Sequence, residues 1–297
     1  MTEEWTPPAD EGFTPNAAPV AQDIPDEPTE WSPPADSVFV PGVTPTKVGA
    51  IISHAAAGTG LVPKWSASGL KDYEQCPYRV KLAKVDKIEQ PTHPAAARGV
   101  AIHNIAENYV MATEGDIEES ALPFMAEWET KIFPPFQTRF NRLRSLYADG
   151  KIEVEGEWAF TTDWEITDWN APNAWARMKL DVLEHQSDTS AIVIDHKTGR
   201  KFGNEISHAN QGMIYAIGTF MRYPQLEFVE TNFWYLDHDE ENPQRYSREQ
   251  AMMFLPRLTD RATIMTSDTQ FEPKPSKFNC KWCAYNKNET CEWRDAG

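Results

Sequence analysis

An aspartate and a lysine close an apolar run near the middle of the sequence. Ile192, Val193 and Ile194 lead into Asp195, and Lys197 follows two positions later. In a β-strand, positions i and i+2 share a face, so we expect the carboxylate and the amine side by side at the end of a buried strand. Burying both groups is costly unless they serve each other or a metal ion. The pair therefore predicts a hydrolytic site, although an ordinary salt bridge would give the same short pattern.

A second aspartate, Asp181, falls on the preceding predicted strand. If a hairpin is centred on Asp188, Asp181 and Asp195 face each other directly across the ladder. Two like charges so placed destabilise a sheet, but a divalent cation bound between them would make the arrangement stabilising. Carboxylate oxygens suit Mg²⁺ or Mn²⁺, and a bound metal ion lowers the pKa of its water. With Lys197 stabilising negative charge, the site would fit phosphodiester hydrolysis; a hairpin shifted by one residue would separate the two aspartates.

The four cysteines form a second candidate site. Cys76 stands alone, whereas Cys280, Cys283 and Cys291 cluster near the end of the sequence. A C-x2-C spacing in a chain without a secretory signal pattern is typical of metal binding. Four thiolates suit one tetrahedral zinc ion or a [4Fe–4S] cluster, and the residues alone leave both open. Either group would tie together segments about 200 residues apart, which predicts a structural role.

Hydrophobic periodicity predicts the elements that position these residues. A short helix is expected from Ser66 or Ser68 to Cys76-Pro77, and further helix within 121–147 is expected to be interrupted at Pro134-Pro135. The other predicted helices are 97–112, 206–222 and 247–266, and the predicted strands are 152–161, 174–185, 191–198 and 227–236. This order predicts one α/β domain with a mixed central sheet flanked by helices.

Together these motifs resemble a known family. The ordered set is Gly99-x3-His103, Asp181, Asp195-x-Lys197 and Gln211-x3-Tyr215. It resembles the RecB-family branch of the PD-(D/E)xK nucleases, which includes CRISPR-associated and AddB-type exonucleases, over about residues 65–295. The resemblance implies a restriction-endonuclease-like core and a metal-dependent DNA exonuclease that degrades single-stranded DNA ends.

The resemblance also implies a role for each motif residue. His103, Asp181 and Asp195 would bind Mg²⁺ or Mn²⁺, with both aspartates and Lys197 as the catalytic residues. Gln211 and Tyr215 would contact DNA and support the site. An acid on the first core strand recurs in the family; Glu155 matches it best as an accessory residue, ahead of Glu153 and Glu157.

An iron–sulfur subset of the same family has one cysteine before the nuclease core and three after it. Tyr73-x2-Cys76-Pro77 and Cys280-x-Trp282-Cys283 are similar to that subset. The resemblance therefore implies a [4Fe–4S] cluster bound by Cys76, Cys280, Cys283 and Cys291, in a helical and C-terminal addition to the core. Zinc is the alternative.

The first 46 residues differ from the rest in composition. They contain ten prolines, nine acidic residues and no Lys or Arg. Such a segment cannot bury enough apolar surface to offset chain entropy, so we predict a disordered tail at 1–46, a linker at 47–64 and the nuclease domain at 65–297. Spaced aromatic residues in the tail would suit a docking peptide for a protein partner; a solubilising tail is the alternative.

Charge limits how DNA could bind. The tail accounts for −9 of the net charge of −17, so the rest of the chain is also acidic. DNA contacts must therefore use local basic clusters. The alternative interpretation of each cluster is an ordinary solvent-exposed face. Candidate clusters are Lys71, Arg79, Lys81, Lys84 and Lys87; Arg139, Arg142 and Arg144; and Lys197, Arg200 and Lys201.

The sequence also predicts a location and leaves rival functions open. No apolar run approaches the ~20 residues that span a bilayer, and no secretory signal pattern is present. We therefore expect an intracellular, cytoplasmic protein encoded by a bacterium or phage, with a role in recombination, repair or phage DNA processing. An endonuclease, or a DNA-binding recruiting protein with a vestigial site, are the alternatives.

Overall fold

The computed structural model describes residues 56–90, 92–199 and 201–294, which fall within one compact unit, Ile51–Gly297. The predicted tail at 1–46, the first part of the predicted linker and Arg200 lie outside the described residues. The described part of that linker contacts the last long helix: the amides of Gly58 and Gly60 donate to the hydroxyl and carbonyl oxygens of Thr266.

A six-stranded mixed sheet forms the centre of the fold. Its strand order is β2-β1-β3-β4-β5-β6, and β4 and β5 are parallel while every other pair is antiparallel. The strands are β1 (Ile152–Phe160), β2 (Ile166–Thr167), β3 (Ala176–Ser187), β4 (Ser190–Lys197), β5 (Phe228–Tyr235) and β6 (Glu240–Ser247).

Helices cover the sheet and extend beyond it. They are α1 (Ala67–Gln75), α2 (Pro77–Val80), α3 (Pro94–Met111), α4 (Met125–Glu127), α5 (Phe133–Ala148), α6 (Glu205–Arg222), α7 (Arg248–Ser267), α8 (Lys277–Lys281) and α9 (Ala284–Lys287). The expected cap of the first helix is Ser66, whose hydroxyl accepts from the Gly69 amide at 3.2 Å. Within the described ranges, no helix combines the length and apolarity that crossing a bilayer needs.

The apolar run of β4 is buried on both faces. Val193 belongs to a core shared with α6, whereas its neighbour Ile194 belongs to a second core shared with α3 and α5. A strand covered on both faces reads as continuous apolar sequence. This packing fixes where the strand ends, and hence where Asp195 and Lys197 emerge.

The interruption predicted at Pro134-Pro135, within the helix expected in 121–147, was wrong. Pro134 and Pro135 lie in the first turn of α5 and follow a π-helical turn at Trp128–Ile132. The first turn of a helix has no intrahelical partner for its amides, so prolines are tolerated there. The pair therefore opens the helix.

Two strands were not predicted. β6 is polar, shows no alternation and contains Pro243, yet it pairs antiparallel with β5 at the sheet edge. Proline is accepted on edge strands, where a ladder donor is dispensable. β2 at the other edge has two residues, too few for a sequence pattern.

Candidate active site

The β3–β4 hairpin contains a bulge. Ser187 pairs with Ser190 across the turn, but beyond His185 the ladder shifts by one residue, so that Val182 pairs with Ile194. The extra residue is Gln186. Bulges of this kind re-aim the side chains that follow them.

This bulge sets the register of the two aspartates. The turn pairing alone would carry Asp181 opposite His196. With the extra residue, Asp181 comes into line with Asp195, one position beyond the last paired residues. That is the register predicted from the sequence, reached through a bulge that the sequence did not reveal.

A third carboxylate stands in the same row. The β1–β3 pairs on either side of Glu155 set it in line with Asp181. Glu155 has φ +52°, in the left-handed region that glutamate rarely adopts, and its carboxylate forms an ion pair with Lys179. Backbone strain of this kind clusters at functional sites. Three acids from three adjacent strands thus form one row.

Asp195 and Lys197 are held by α6. Lys197 Nζ lies 2.6 Å from Asp195 Oδ2 and donates to Gln211 Oε1 at 3.0 Å. Gln211 Nε2 and Tyr215 OH both donate to Asp195 Oδ1, at 3.1 and 3.0 Å. The Gln-x3-Tyr motif therefore occupies one helix face, as its i, i+4 spacing predicts, and orients Asp195 and Lys197.

The Asp195 carboxylate is nearly enclosed, at 5% exposure. Burial raises its pKa and Asp181 raises it further, against the opposing effect of Lys197. Its Oδ2 is buried without a hydrogen bond of acceptable geometry, although the Lys197 ammonium is close. A cation at this oxygen would favour the charged form of the carboxylate.

The carboxylate of Asp181 contacts one residue of α3 and one residue of β4. Its Oδ1 lies 3.3 Å from His103 Nδ1, and its Oδ2 accepts from the His196 amide at 2.6 Å. Burial opposes ionisation, but His103 and His196 outweigh it and hold the pKa of Asp181 well below its usual range. In return, Asp181 overcomes the effect of burial and raises the pKa of His103 to about 9.

Two residues near the site were missed by the sequence analysis. His196 faces the other core, between the rings of Phe140 and Trp234 at 5.4 and 5.5 Å, and burial lowers its pKa to about 4. Glu107 lies one helical turn after His103, and burial together with Glu155 raises its pKa. The His-x3-Glu spacing was the available signal for Glu107; His196 gave none beyond its place between Asp195 and Lys197.

The donor set fits a hard cation without enclosing one. In 56–90, 92–199 and 201–294, no three His, Cys, Asp or Glu side chains are already arranged as a metal site. His103 and Lys197 contact the carboxylate oxygens that a cation would use. Carboxylate and imidazole donors are compatible with Mg²⁺ or Mn²⁺ once His103 gives up its proton and Lys197 moves away from Asp195 Oδ2.

The four cysteines line one small cavity. Cys76 comes from the α1–α2 junction, and the other three come from the region of α8 and α9. All four are free and half-buried. Burial raises the pKa of Cys291, and the other three cysteines add to this. The cavity of about 20 Å³ is lined by four thiols, but no coordination geometry is formed among the described residues.

The predicted basic cluster on α5 is mostly neutralised. Arg142 makes two hydrogen bonds to the buried carboxylate of Glu184, and Arg144 pairs with Glu114. Arg139 pairs with acids at and beside the start of β6. This cluster therefore holds α5 to its neighbours.

Comparison with known proteins places the chain in a family. The family model described as the PD-(D/E)XK nuclease superfamily matches residues 64–288, and the chain belongs to this superfamily. The match includes His103, Asp181, Asp195 and Lys197 but ends before Cys291. No curated protein matches the chain by sequence.

Two solved structures are similar in part. One is SSO0001, with 13% identity over 78% of this chain and 86% of that one, at a TM-score of 0.37. The other is named "Putative exonuclease" from Eubacterium rectale, with 10% identity over 79% of this chain and 90% of that one, at a TM-score of 0.42.

Proposed function

We propose that this nuclease is a Mg²⁺- or Mn²⁺-dependent exonuclease that hydrolyses DNA from single-stranded ends, of the RecB-like type, in recombination, repair or phage DNA processing. The observation that carries the proposal is the network joining Lys197 to Asp195 through Gln211, beside the Asp181–His103 pair. Two buried carboxylates from adjacent strands could hold a metal ion that assists phosphodiester hydrolysis, and the neighbouring amine could stabilise the developing negative charge.

Each residue has a stated role in this proposal. His103, Asp181 and Asp195 would hold the metal ion, which would supply Lewis-acid chemistry and a water of lowered pKa. Lys197 stabilises negative charge developing on the phosphate. Gln211 and Tyr215 fix the orientation of Asp195 and Lys197, and Glu155, in line with Asp181, is an accessory acid.

A reaction assay tests the proposal. The full chain with Mn²⁺ is incubated with labelled linear and circular single-stranded DNA, and with RNA of the same sequence. The protein is expected to degrade linear DNA and to spare circular DNA. Lys197→Ala should abolish this degradation. Lys151→Ala, which replaces a lysine at the far end of the sheet, should not. Cleavage of circles would indicate an endonuclease. DNA binding without cleavage under any metal would indicate a recruiting protein.

We infer that the four cysteines bind a [4Fe–4S] cluster. The support is that two segments about 200 residues apart bring four thiols, and no other soft ligand, to one cavity. Absorbance of anaerobically purified protein, with iron, sulfide and zinc analysis, distinguishes the candidates. A broad visible band with iron and sulfide supports the cluster; one bound zinc and no band supports the alternative. A protein partner for residues 1–46 stays a prediction, testable by comparing co-purifying proteins with and without that segment.

A further inference from the structure

A groove of about 630 Å³ leads away from the active site. We call it the α1–α2 groove, because those helices form one wall and β3 contributes to the other. The residues that matter for its chemistry are Lys64, Asp72, Arg79, Lys84, Trp169, Arg177, Lys179, Gln211 and Tyr215. Its volume lies within the range of small-ligand pockets, which gives room for part of one strand.

The groove is continuous with the catalytic pair. Gln211 and Tyr215 line it, and both donate hydrogen bonds to Asp195 Oδ1. Lys179, which also lines it, pairs with Glu155 in the row of three carboxylates. A chain lying in this groove would therefore reach the position where Lys197 and Asp195 act.

The charge of the groove is opposite to that of the protein. The chain carries −17, yet the groove lining includes five Lys or Arg side chains and one carboxylate, Asp72. Asp72 is engaged by Arg79 at 3.3 Å. Lys84 is exposed and forms no ion pair with any of the residues that the structure describes. A local excess of positive charge remains, which suits a phosphate backbone.

Two of the cations are fixed without being neutralised. Lys64 donates to the Ala171 carbonyl at 3.0 Å, and Arg177 donates to the Trp169 carbonyl at 2.6 Å. Carbonyl oxygens orient these cations but leave their charge available. The Arg177 guanidinium also lies 4.8 Å from the ring centroid of Trp169, so the groove holds an aromatic and guanidinium surface. Alternating cations and flat rings are what single-strand binding grooves present.

We propose that the α1–α2 groove binds one nucleic-acid strand and delivers it to Asp195 and Lys197. Lys64, Lys84 and Arg177 contact its phosphates, and Trp169 stacks against a base. The proposal rests on the proposed function, since it is this strand that the site would cut.

Binding of labelled oligodeoxythymidylate to the full chain tests the groove. Lys197→Ala is used as the background, so that the probe stays intact, and fluorescence anisotropy is measured over a range of salt concentrations. Lys64→Glu/Lys84→Glu should raise Kd about tenfold or more, and should lower the slope of log affinity against log salt by about 0.7 for each phosphate that is no longer neutralised. Lys151→Glu, a single charge reversal outside the groove, should bind as the background protein does. Circular dichroism establishes that the variants fold.

Three results would overturn the groove proposal: equal Kd and salt slope for the groove and control variants, tighter binding of duplex than of single strand, or no binding by the background protein.

Hydrolysis of a small diester, bis(p-nitrophenyl) phosphate, separates failure of the groove proposal from failure of the proposed function. In an otherwise native chain, the groove variant should lower the ratio of kcat/KM for the oligonucleotide to that for the diester. If the wild type hydrolyses both substrates and the groove variant leaves this ratio of kcat/KM values unchanged, the groove proposal alone is refuted. Absence of hydrolysis of both would refute the proposed function, while the anisotropy still decides the groove.

Discussion

The catalytic site and the cysteine site are assembled in different ways. Asp195 and Lys197 end a strand buried between two cores, and α6 holds them by hydrogen bonds from Gln211 and Tyr215. The cysteines come from the α1–α2 junction and from α8 and α9, which are five and four residues long. No buried residue lies in α8.

This difference predicts which of the two sites depends on the metal proposed for it. Core packing and direct hydrogen bonds can hold the catalytic residues without an ion. Although α9 buries Tyr285, helices this short are marginal on their own, so the cysteine site is expected to depend on the group proposed to bind it, which would contribute to folding. Loss of the proposed catalytic cation should therefore remove activity, whereas loss of the group proposed at the cysteines should loosen the fold.

The largest expected effect sharpens the catalytic half of this comparison. Lys197→Ala should lower kcat by about 10³, equivalent to about 4 kcal/mol, because it removes the amine that stabilises the developing charge. Its melting temperature with Mn²⁺ should stay close to that of the wild type. Steady-state kinetics on linear single-stranded DNA and calorimetry measure the two quantities; a large fall in Tm with normal kcat would reverse the assignment.

The next effect concerns the cysteine half. Cys283→Ser should destabilise the protein by about 3 kcal/mol, because it would break the proposed cross-link, which closes a very long loop. Denaturant unfolding measures this, with Lys197→Ala as the matched variant whose cysteines are intact. Full stability of Cys283→Ser, in protein purified with its native metal content, would show that the fold does not depend on this site.

A smaller effect tests what positions the strand end. Arg98 on α3 makes paired hydrogen bonds to Glu127 and Asp237 and donates to the Thr198 carbonyl at 3.2 Å, directly after Lys197. Arg98→Ala should cost about 2 kcal/mol of stability and also lower kcat, and Arg98→Lys should not restore the forked contacts.

Arg139→Ala is the control for Arg98, because Arg139 is also ion-paired but is more exposed, and its acidic partners are Asp239 and Glu241. Unfolding and kinetics are compared for the two variants. Equal, small effects would mean that Arg98 is an ordinary surface ion pair.

The smallest expected effect lies at the end of α7. Asp268 accepts from Tyr73 OH at 2.7 Å and from the amides of Gln270 and Phe271. Although burial opposes it, these bonds lower the pKa of Asp268. Its stabilisation is therefore present at neutral pH and is lost as the pH falls through its folded-state pKa. Tyr73→Phe should cost about 1 kcal/mol at neutral pH and less in acid, as measured by denaturant unfolding at both; an equal cost in acid would contradict this account.

Much of the central fold could be predicted from the sequence. The strands that carry Asp181 and Asp195 have clear apolar patterns because each packs against both cores. The helix of Gln211 and Tyr215 keeps its helical period because one of its faces packs against the first core. The superfamily and the mixed sheet are confirmed.

Other features depend on contacts that no local pattern encodes. The bulge at Gln186 restores the register only because β3 and β4 must bury their apolar residues together. The position of His196 follows from that register and from the core behind it. Convergence of Cys76 with the other three cysteines was inferred from family resemblance, since spacing alone says nothing about segments 200 residues apart.

The claim on which the account depends is that Asp181 and Asp195 hold one cation jointly with His103. Calorimetric titration of Mn²⁺ into the full chain tests it without reference to activity. The account predicts saturable binding that is lost in Asp181→Asn, in Asp195→Asn and in His103→Ala, and kept in Lys151→Ala. Unchanged Mn²⁺ affinity in both aspartate variants would contradict it.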